Sequence, residues 1–480
     1  MADVGTLPDG LVAVVKRDCE TCVTVVPVLE SLAESDGLVV YTQDDVAFPA
    51  TADWVIDDTD LAVSWHNDIE TVPTLIRVRD GVEVERIVGW SVDQWRTFTA
   101  QDGLGQGLPE FRPGCGSLSV DPTIAPGLAI AFGGSGLHAR RVELASLEDD
   151  VEAMFDRGWT DGLPVVPPTE ERVMRMLEGT TREATDVVAV VPPNLHEVTV
   201  EKVAINAVMA GCKPEYLPVV LAALEAVCTD EFNMHGVLAT TMAVGPVFVV
   251  NGPIRNSLKM NSGMNALGHG TRANSTIPRA VQLIVRNVGG GYPGGVDRSA
   301  QGNPGKLGLM IAEDEEGSPW TTYSEDHGVD VGVSTVTAFC SEGPHTFVDQ
   351  LSRTPEALTK HLAMMLRHSN SPRQVMGMDA MLVLSPEHMQ RYADAGWSKD
   401  RFREELDKHL LIDTDEIIRG TDGIDEGMPE GFEGLQLNKF RPGGLQIVHA
   451  GGPAGLFSSI LSGWLTGEMG SVPVTREITA

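Results

Sequence analysis

The sequence predicts an α/β protein with a small N-terminal domain and a larger C-terminal α/β domain whose topology stays open. Three observations lead to this prediction. Short apolar runs, typical of buried parallel strands, alternate with segments that carry apolar residues at helical spacing. The chain has 480 residues, which is too long for one ordinary hydrophobic core. A linker rich in glycine and proline, residues 106–150, separates the expected domains at 1–105 and 151–480.

The elements of the N-terminal part follow one another as βαβα and then ββα. Apolar runs predict strands at 11–15, 38–41, 74–78 and 82–88. Apolar residues at helical spacing predict helices at 23–34, 57–65 and 91–98. Asp80 and Gly81 join the last two strands, and this dipeptide between β-rich runs indicates a hairpin.

The C-terminal part has the same alternating texture, without an internal repeat of fixed period. Helical spacing predicts helices at 146–157, 169–178, 199–211, 215–228, 276–287, 354–368, 386–394 and 399–409. Apolar β-rich runs predict strands at 187–191, 246–250, 308–312, 381–384 and 445–448. The glycine-rich loop 449–455 follows the last of these strands, and we expect a helical stretch after it.

The charge of the chain limits its partners. Its net charge is −33, because 68 acidic residues stand against 35 basic ones. Such a field repels nucleic acid and anionic lipid, so neither is expected as a partner. The sequence shows no run of 18 apolar residues and no basic segment followed by an apolar one at its start, so we expect a cytoplasmic protein. The oligomeric state stays open, with a homo-oligomer as one option.

Six cysteines are too few for a disulfide scaffold, and only Cys19 and Cys22 lie close together in the sequence. This usage suits a reducing compartment and one dedicated redox pair. The Cys19-Glu-Thr-Cys22 dithiol stands at the first strand-to-helix junction. Further along come Thr71-Val-Pro-Thr74, Asp80-Gly81 and Val88-Gly-Trp90. On these residues, the region of about 1–105 resembles the thioredoxin superfamily.

The resemblance implies a fold, an activity and three site residues. In a thioredoxin-like fold, Cys19 would lie at a helix N-terminus, where unpaired amides and the helix dipole stabilise a thiolate. Cys19 would then attack a disulfide, and Cys22 would resolve the mixed disulfide. Pro73 would be the cis-proline that packs beside the dithiol and leaves a backbone edge for the partner. Two structural cysteines, or half of a metal site, are the alternative.

Acidic neighbours distinguish this dithiol from the familiar one. Asp18 and Glu20 flank Cys19, and their charges should raise its pKa and slow it at neutral pH. The dithiol is therefore expected to serve one tethered partner rather than many targets.

Two other cysteines are candidates for that partner. Cys115 lies in the glycine-rich loop 113–117, where a neighbouring dithiol could reach it. Cys212 lies between two predicted helices, near the N-terminus of the second and beside Lys213, and these two neighbours should lower its pKa. A plain turn and a buried structural thiol are the respective alternatives. The C-terminal region resembles uncharacterised bacterial proteins only, so no function is carried over to it.

The densest group of polar and glycine residues runs from 251 to 306. Such residues let backbone amides approach a ligand, and arginines nearby favour a carboxylate or a phosphate. We therefore expect a small anionic substrate here, with His269 as a candidate general acid or base. The candidate binding residues are Asn251, Asn261, Arg272, Asn274 and Lys306. Ordinary glycine loops, and a histidine without a catalytic role, are the alternative.

Together these patterns predict a thiol-disulfide oxidoreductase. Its dithiol would service a cysteine, Cys115 or Cys212, of a C-terminal enzyme domain that takes a small anionic substrate. No cofactor is indicated, and no spacing of cysteine and histidine completes a zinc site. Two other classes stay open: a non-redox lyase or hydrolase with a thioredoxin-like accessory domain, and a redox-sensing scaffold.

Overall fold

A computed structural model of the chain describes residues 6–133, 136–142, 144, 149–420 and 426–479. The chain divides into two compact units, Met1–Leu137 and His138–Ala480, and both combine helices with mixed sheets, as the predicted α/β class requires. The stretch predicted as a linker, 106–150, is divided between them. Its residues 134–135, 143 and 145–148, including the start of the helix predicted at 146–157, lie outside the described residues.

The first unit is built on a five-stranded sheet. Its described strands are β1 (Gly10–Val15), β2 (Val39–Thr42), β3 (Val55–Asp57), β4 (Thr71–Val72), β5 (Thr74–Arg79), β6 (Val82–Val88), β7 (Trp90–Ser91), β8 (Phe111–Arg112) and β9 (Cys115–Gly116). Its helices are α1 (Glu20–Asp36), α2 (Ala62–His66), α3 (Val92–Thr99) and α4 (Ala125–Phe132), with a 3-10 turn at Leu118–Val120.

The strands of this sheet lie in the order β3-β2-β1-β5-β6. The first three run parallel, and β5 and β6 pair antiparallel as the hairpin predicted around Asp80 and Gly81. Val12 to Val15 are fully buried in the central strand, which explains the uninterrupted apolar run. Helix α1 begins directly after this strand and ends at Gly37, whose φ of 66° closes the helix in the left-handed conformation.

Residues 103–120 pack on the first unit rather than leaving it. Strand β8 pairs with β7, and β9 pairs with β4. The Trp90 indole donates a hydrogen bond of 2.7 Å to the carbonyl oxygen of Pro109. At Gly114 a Cβ atom would lie only 2.9 Å from the carbonyl oxygen of Val72, so glycine permits this close approach.

The second unit contains the longer sheet. Its described helices are α5 (Asp150–Asp156), α6 (Glu170–Leu177), α7 (Val200–Ala210), α8 (Leu217–Val227), α9 (Met234–Ala239), α10 (Ile254–Ser257), α11 (Arg272–Asn287), α12 (Tyr323–Asp326), α13 (Pro355–Arg367), α14 (Pro386–Asp394) and α15 (Lys399–His409). Its described strands are β10 (Val187–Val191), β11 (His196–Thr199), β12 (Gly245–Asn251), β13 (Leu309–Ala312), β14 (Thr335–Val348), β15 (Met378–Leu384), β16 (Leu411–Asp413), β17 (Gln436–Asn438), β18 (Leu445–His449), β19 (Phe457–Leu465) and β20 (Val474–Glu477).

The seven-stranded sheet of this unit has two similar halves. Its order is β13-β12-β14-β19-β15-β18, and β20 also pairs with β14. In one half β12 pairs in parallel with β13 and antiparallel with β14. In the other half β15 pairs in parallel with β18 and antiparallel with β19. The antiparallel pair of β14 and β19 joins the halves, so the fold repeats a three-strand pattern.

Three helices of the second unit, α7, α8 and α11, pack against one another. Nearly all residues of α8 are buried, which explains its apolar composition. Among the described residues no single helix is long and apolar enough to cross a membrane. The segments Val200–Ala210 and Pro214–Val227 meet that test only when taken together, and they meet at a bend of 119°.

Most predicted elements of the second unit are present. The predicted helices coincide with α5 to α8, α11 and α13 to α15, and the predicted strands with β10, β12, β13, β15 and β18. The helix expected after the loop 449–455 is wrong, because β19 follows and pairs with β14 and β15. The sequence analysis also missed β14, whose apolar run is interrupted at Gly343 and Pro344, where the register shifts.

The buried core around β15 predicts that two leucines differ in how much they stabilise the protein. Leu382 is fully buried in β15, so Leu382→Ala should lower the free energy of unfolding by about 2–5 kcal/mol, since the cavity adds to the lost burial. Leu351 is 87% exposed, so Leu351→Ala should change it by less than about 0.5 kcal/mol. Urea denaturation of both variants measures this, and equal losses would contradict the described core.

Candidate functional site

Cys19 occupies the N-terminus of helix α1. It is the N-cap residue, with φ −149° and ψ 112°, and its Sγ atom accepts a hydrogen bond of 3.3 Å from the amide of Cys22. Cys22 lies one turn into the helix and is fully buried. The apolar strand β1 fixes the start of α1, so the sequence places both thiols at one strand-to-helix junction.

A second piece of backbone lies beside this junction. Strand β4 ends at Val72, whose carbonyl oxygen is 3.7 Å from the Sγ atom of Cys19. The next peptide bond, between Val72 and Pro73, is cis. Strand β9 pairs antiparallel with β4 so that Cys115 stands directly opposite Val72. The structure therefore brings Cys19, Cys22 and Cys115 together, and we call these residues the three-cysteine cluster.

The three thiols of this cluster differ in acidity. A hydrogen bond from the Cys22 thiol lowers the pKa of Cys19 to about 5; the Cys115 thiol and the amides of Cys22 and Thr21 add to this effect, and burial opposes it. Burial, together with the hydrogen bond to Cys19, raises the pKa of Cys22 and that of Cys115. At neutral pH the cluster therefore holds one thiolate and two thiols, and only a thiolate attacks disulfides.

The expectation of a raised pKa at Cys19 is wrong, because other groups outweigh its acidic neighbours. Asp18 and Glu20 were expected to raise its pKa, whereas the pKa is lowered. The Glu20 side chain is 92% exposed and lies 3.3 Å from Arg112. Asp18 is also exposed. Water and the cation screen these charges, while the hydrogen-bond donors contact the sulfur directly.

The segment that carries Cys115 also covers the dithiol. The Thr21 hydroxyl donates a hydrogen bond of 2.7 Å to the carbonyl oxygen of Pro113, which ties α1 to this segment. Cys19 is only 4% exposed, whereas Cys115 is partly exposed. The segment that carries Cys115 therefore occupies the position beside Val72. The sulfur atom of Cys115 contacts Cys19.

Cys212 lies in the second unit and has the opposite character. It follows Gly211, the residue that ends α7, and precedes the 3-10 turn Pro214–Tyr216. The sequence analysis expected a lowered pKa, but burial raises the pKa of this thiol to about 12. A position near the start of a helix is not sufficient to lower the pKa of Cys212. The residue is only 6% exposed, and desolvation outweighs the nearby arginines.

Within the 251–306 region the predicted binding residues bond to other groups of the protein. Asn251 donates to Glu313 and Glu315, at 2.6 Å and 2.9 Å. Asn261 and Asn274 bond to each other, the amide of Asn261 donating to the Asn274 side chain at 2.9 Å. These asparagines fix local structure.

Arg272, His269 and Lys306 are the remaining residues of that set. Arg272 donates to the carbonyl oxygens of Gly211 and Cys212, at 2.8 Å and 3.3 Å. His269 is exposed. Of the whole set, Lys306 alone lines the cleft of about 340 Å³ that the second unit contains among its described residues.

That cleft includes one residue that the sequence analysis missed, Arg286. Its guanidinium lies over the Tyr292 ring, 4.7 Å from the ring centre. Its Nε atom is buried without a hydrogen-bond partner among the described residues. The sequence signal was weak, because an arginine within a helix looks the same whether or not a carboxylate pairs with it.

No protein-family model matches the chain, and none of the curated proteins compared with it matches either. Within the described ranges no group of three or more histidine, cysteine, aspartate or glutamate side chains could hold a metal ion. The geometry of the three-cysteine cluster is thus the main guide to function.

The acidity of Cys19 predicts a thiolate signal at low pH. Ultraviolet titration of the reduced protein near 240 nm should show one thiolate step with a midpoint near pH 5, absent in Cys19→Ser. Cys115→Ala removes one donor, so it should raise the midpoint by about one pH unit. Cys115→Ser keeps a donor and is the matched control. A midpoint above pH 8 in the wild type would contradict the described hydrogen bonds.

Proposed function

We propose that the first unit is a thioredoxin-like domain that carries out thiol–disulfide exchange, with Cys19 as nucleophile and Cys22 as resolving thiol. The observation that carries the proposal is the position of Cys19 at the N-terminus of α1, where its Sγ atom accepts a hydrogen bond from the amide of Cys22, beside the strand pair that brings Cys115 to Val72. The sheet order, the dithiol at the first strand-to-helix junction and the position of Pro73 beside it support the resemblance. A reducing, cytoplasmic compartment suits this chemistry.

The exchange proceeds in two displacements. The Cys19 thiolate attacks one sulfur of a partner disulfide; a mixed disulfide forms, and the second sulfur leaves as a thiolate with the electron pair of the broken bond. Cys22 gives its proton to this leaving thiolate and attacks the Cys19 sulfur. The mixed disulfide breaks, a Cys19–Cys22 disulfide forms, and the partner sulfur that was bound to Cys19 leaves as a thiolate that takes a proton from water. Two electrons pass from the protein to the partner.

The geometry favours Cys115 over Cys212 as the sulfur that Cys19 meets first. Cys115 stands opposite Val72 and hydrogen bonds with Cys19, while the burial of Cys212 keeps it as a thiol. If Cys115 carries a mixed disulfide with a small thiol, Cys19 attacks the Cys115 sulfur and expels that thiol. Cys22 then releases Cys115. That the second unit supplies a disulfide partner stays a prediction.

Trapping the intermediate tests this assignment. We expect Cys22→Ser, treated with a small aromatic disulfide, to accumulate a Cys19–Cys115 disulfide, because the resolving thiol is gone. Proteolysis and mass spectrometry locate the bond. Cys22→Ser combined with Cys212→Ser should give the same product, and combined with Cys115→Ser should not. A bond from Cys19 to Cys212 would contradict the role of Cys115.

A turnover assay separates exchange from the other classes. The reduced wild type transfers two electrons to one equivalent of a small disulfide, and the rate of this single turnover should fall by about a thousandfold or more in Cys19→Ser, since a hydroxyl cannot replace the thiolate. Cys228→Ser is the control, because burial raises the pKa of that thiol to about 12. Unchanged turnover in Cys19→Ser would contradict the proposal and favour a non-redox enzyme.

A further inference from the structure

The second unit contains a cleft with the size of a small-molecule site. Its volume is about 340 Å³, and its walls come from α9, the start of β12, α11 and the loop that follows α11. Pockets that enclose small ligands begin near this volume. A molecule of modest size fits, whereas a nucleotide would extend beyond it.

Four charged residues line the cleft, and three of them are paired. Asp161 accepts two hydrogen bonds from Arg279, at 2.7 Å and 2.8 Å. Lys306 donates to Asp297 at 2.8 Å and to the Ser299 hydroxyl at 2.5 Å. Arg286 has no carboxylate partner among the described residues. One uncompensated positive charge therefore remains, in a chain whose net charge is −33.

Arg286 lines the cleft, and its Nε–H is buried. The Tyr292 ring covers one face of the guanidinium, which fixes its plane. The buried Nε–H has no acceptor, and an unsatisfied buried donor is costly. A ligand that supplies an acceptor in the plane of the guanidinium would remove this cost. A carboxylate does so with two parallel hydrogen bonds.

The rest of the wall favours an apolar body on the ligand. Carbon-rich side chains line much of the cleft, namely those of Met234, Val237, Leu238, Val244 and Leu307. Gln282 and Asn303 add neutral hydrogen-bonding groups. Because Asp297 already compensates Lys306, the described lining of the cleft lacks the second free cation that a dianion such as phosphate would require.

We propose that this cleft binds a small monocarboxylate with a short apolar body, and that Arg286 holds its carboxylate. The inference narrows the small anionic substrate that the sequence predicts. It does not depend on the thiol chemistry of the first unit, so Cys19→Ser should bind the ligand as the wild type does.

Calorimetric titration of the full chain with butyrate tests the proposal, with butyramide and inorganic phosphate as comparators. The wild type should bind butyrate at least about tenfold more tightly than either comparator. Arg286→Gln should lose at least about tenfold in affinity, and Arg286→Lys should also lose affinity because it keeps the charge but not the planar fork.

Arg353→Gln is the matched control, since this exposed arginine lies outside the cleft and the variant changes the net charge equally. Its affinity should equal that of the wild type. Circular dichroism establishes that each variant is folded. Absence of butyrate binding in the wild type, equal affinity in Arg286→Gln, or tighter binding of phosphate would each overturn the proposal. None of these results bears on exchange at Cys19, so the two proposals fail separately.

Discussion

The hydrogen bonds that the Cys19 sulfur receives at the start of α1 are the interaction on which the rest depends. Burial alone would keep this thiol protonated, as it does elsewhere in the chain. Donors from Cys22, Cys115 and the first amides of the helix reverse that balance and bring the pKa to about 5. If the sulfur were neutral, the cluster would be three packed cysteines without chemistry at neutral pH. The acidity of the Cys19 sulfur thus distinguishes the three-cysteine cluster, as a candidate reactive site, from cysteines that are only packed together.

The docking of β9 against β4 supplies one of those donors. It depends on Gly114, where the backbone approaches Val72 too closely for a side chain. The same contact places Cys115 on the backbone edge that the thioredoxin resemblance reserves for a partner. The segment therefore stabilises the thiolate and also restricts access to it. In the proposed exchange, a partner molecule reaches Cys19 only if it displaces this segment or first reacts with Cys115, which is partly exposed.

Much of the fold follows from local pattern, because the spacing of apolar residues reflects burial directly. Most of the longer helices and the strands β10, β12, β13, β15 and β18 were predictable for this reason. Strand β14 was not, since Pro344 and a register shift interrupt its run, and β19 was expected to be a helix. The presence of the dithiol was also predictable. The acidity of Cys19 was not, because one donor, Cys115, comes from a distant part of the sequence. Arg286 was not predicted for a similar reason, because only the fold decides which arginines pair with a carboxylate.

Cys19 and Cys212 show that burial does not decide reactivity. Both are nearly inaccessible, yet the pKa of one falls to about 5 and that of the other rises to about 12. Desolvation dominates at Cys212, whereas hydrogen-bond donors aimed at the sulfur outweigh it at Cys19. Arg279 and Arg286 also differ, since among the described residues Arg279 bonds to Asp161 and Arg286 has no carboxylate partner. In each unit, the candidate site is a charged group without a counterpart among the described residues. In the first unit this group is the Cys19 thiolate, which lacks an electrophile, and in the second it is the Arg286 guanidinium, which lacks an acceptor.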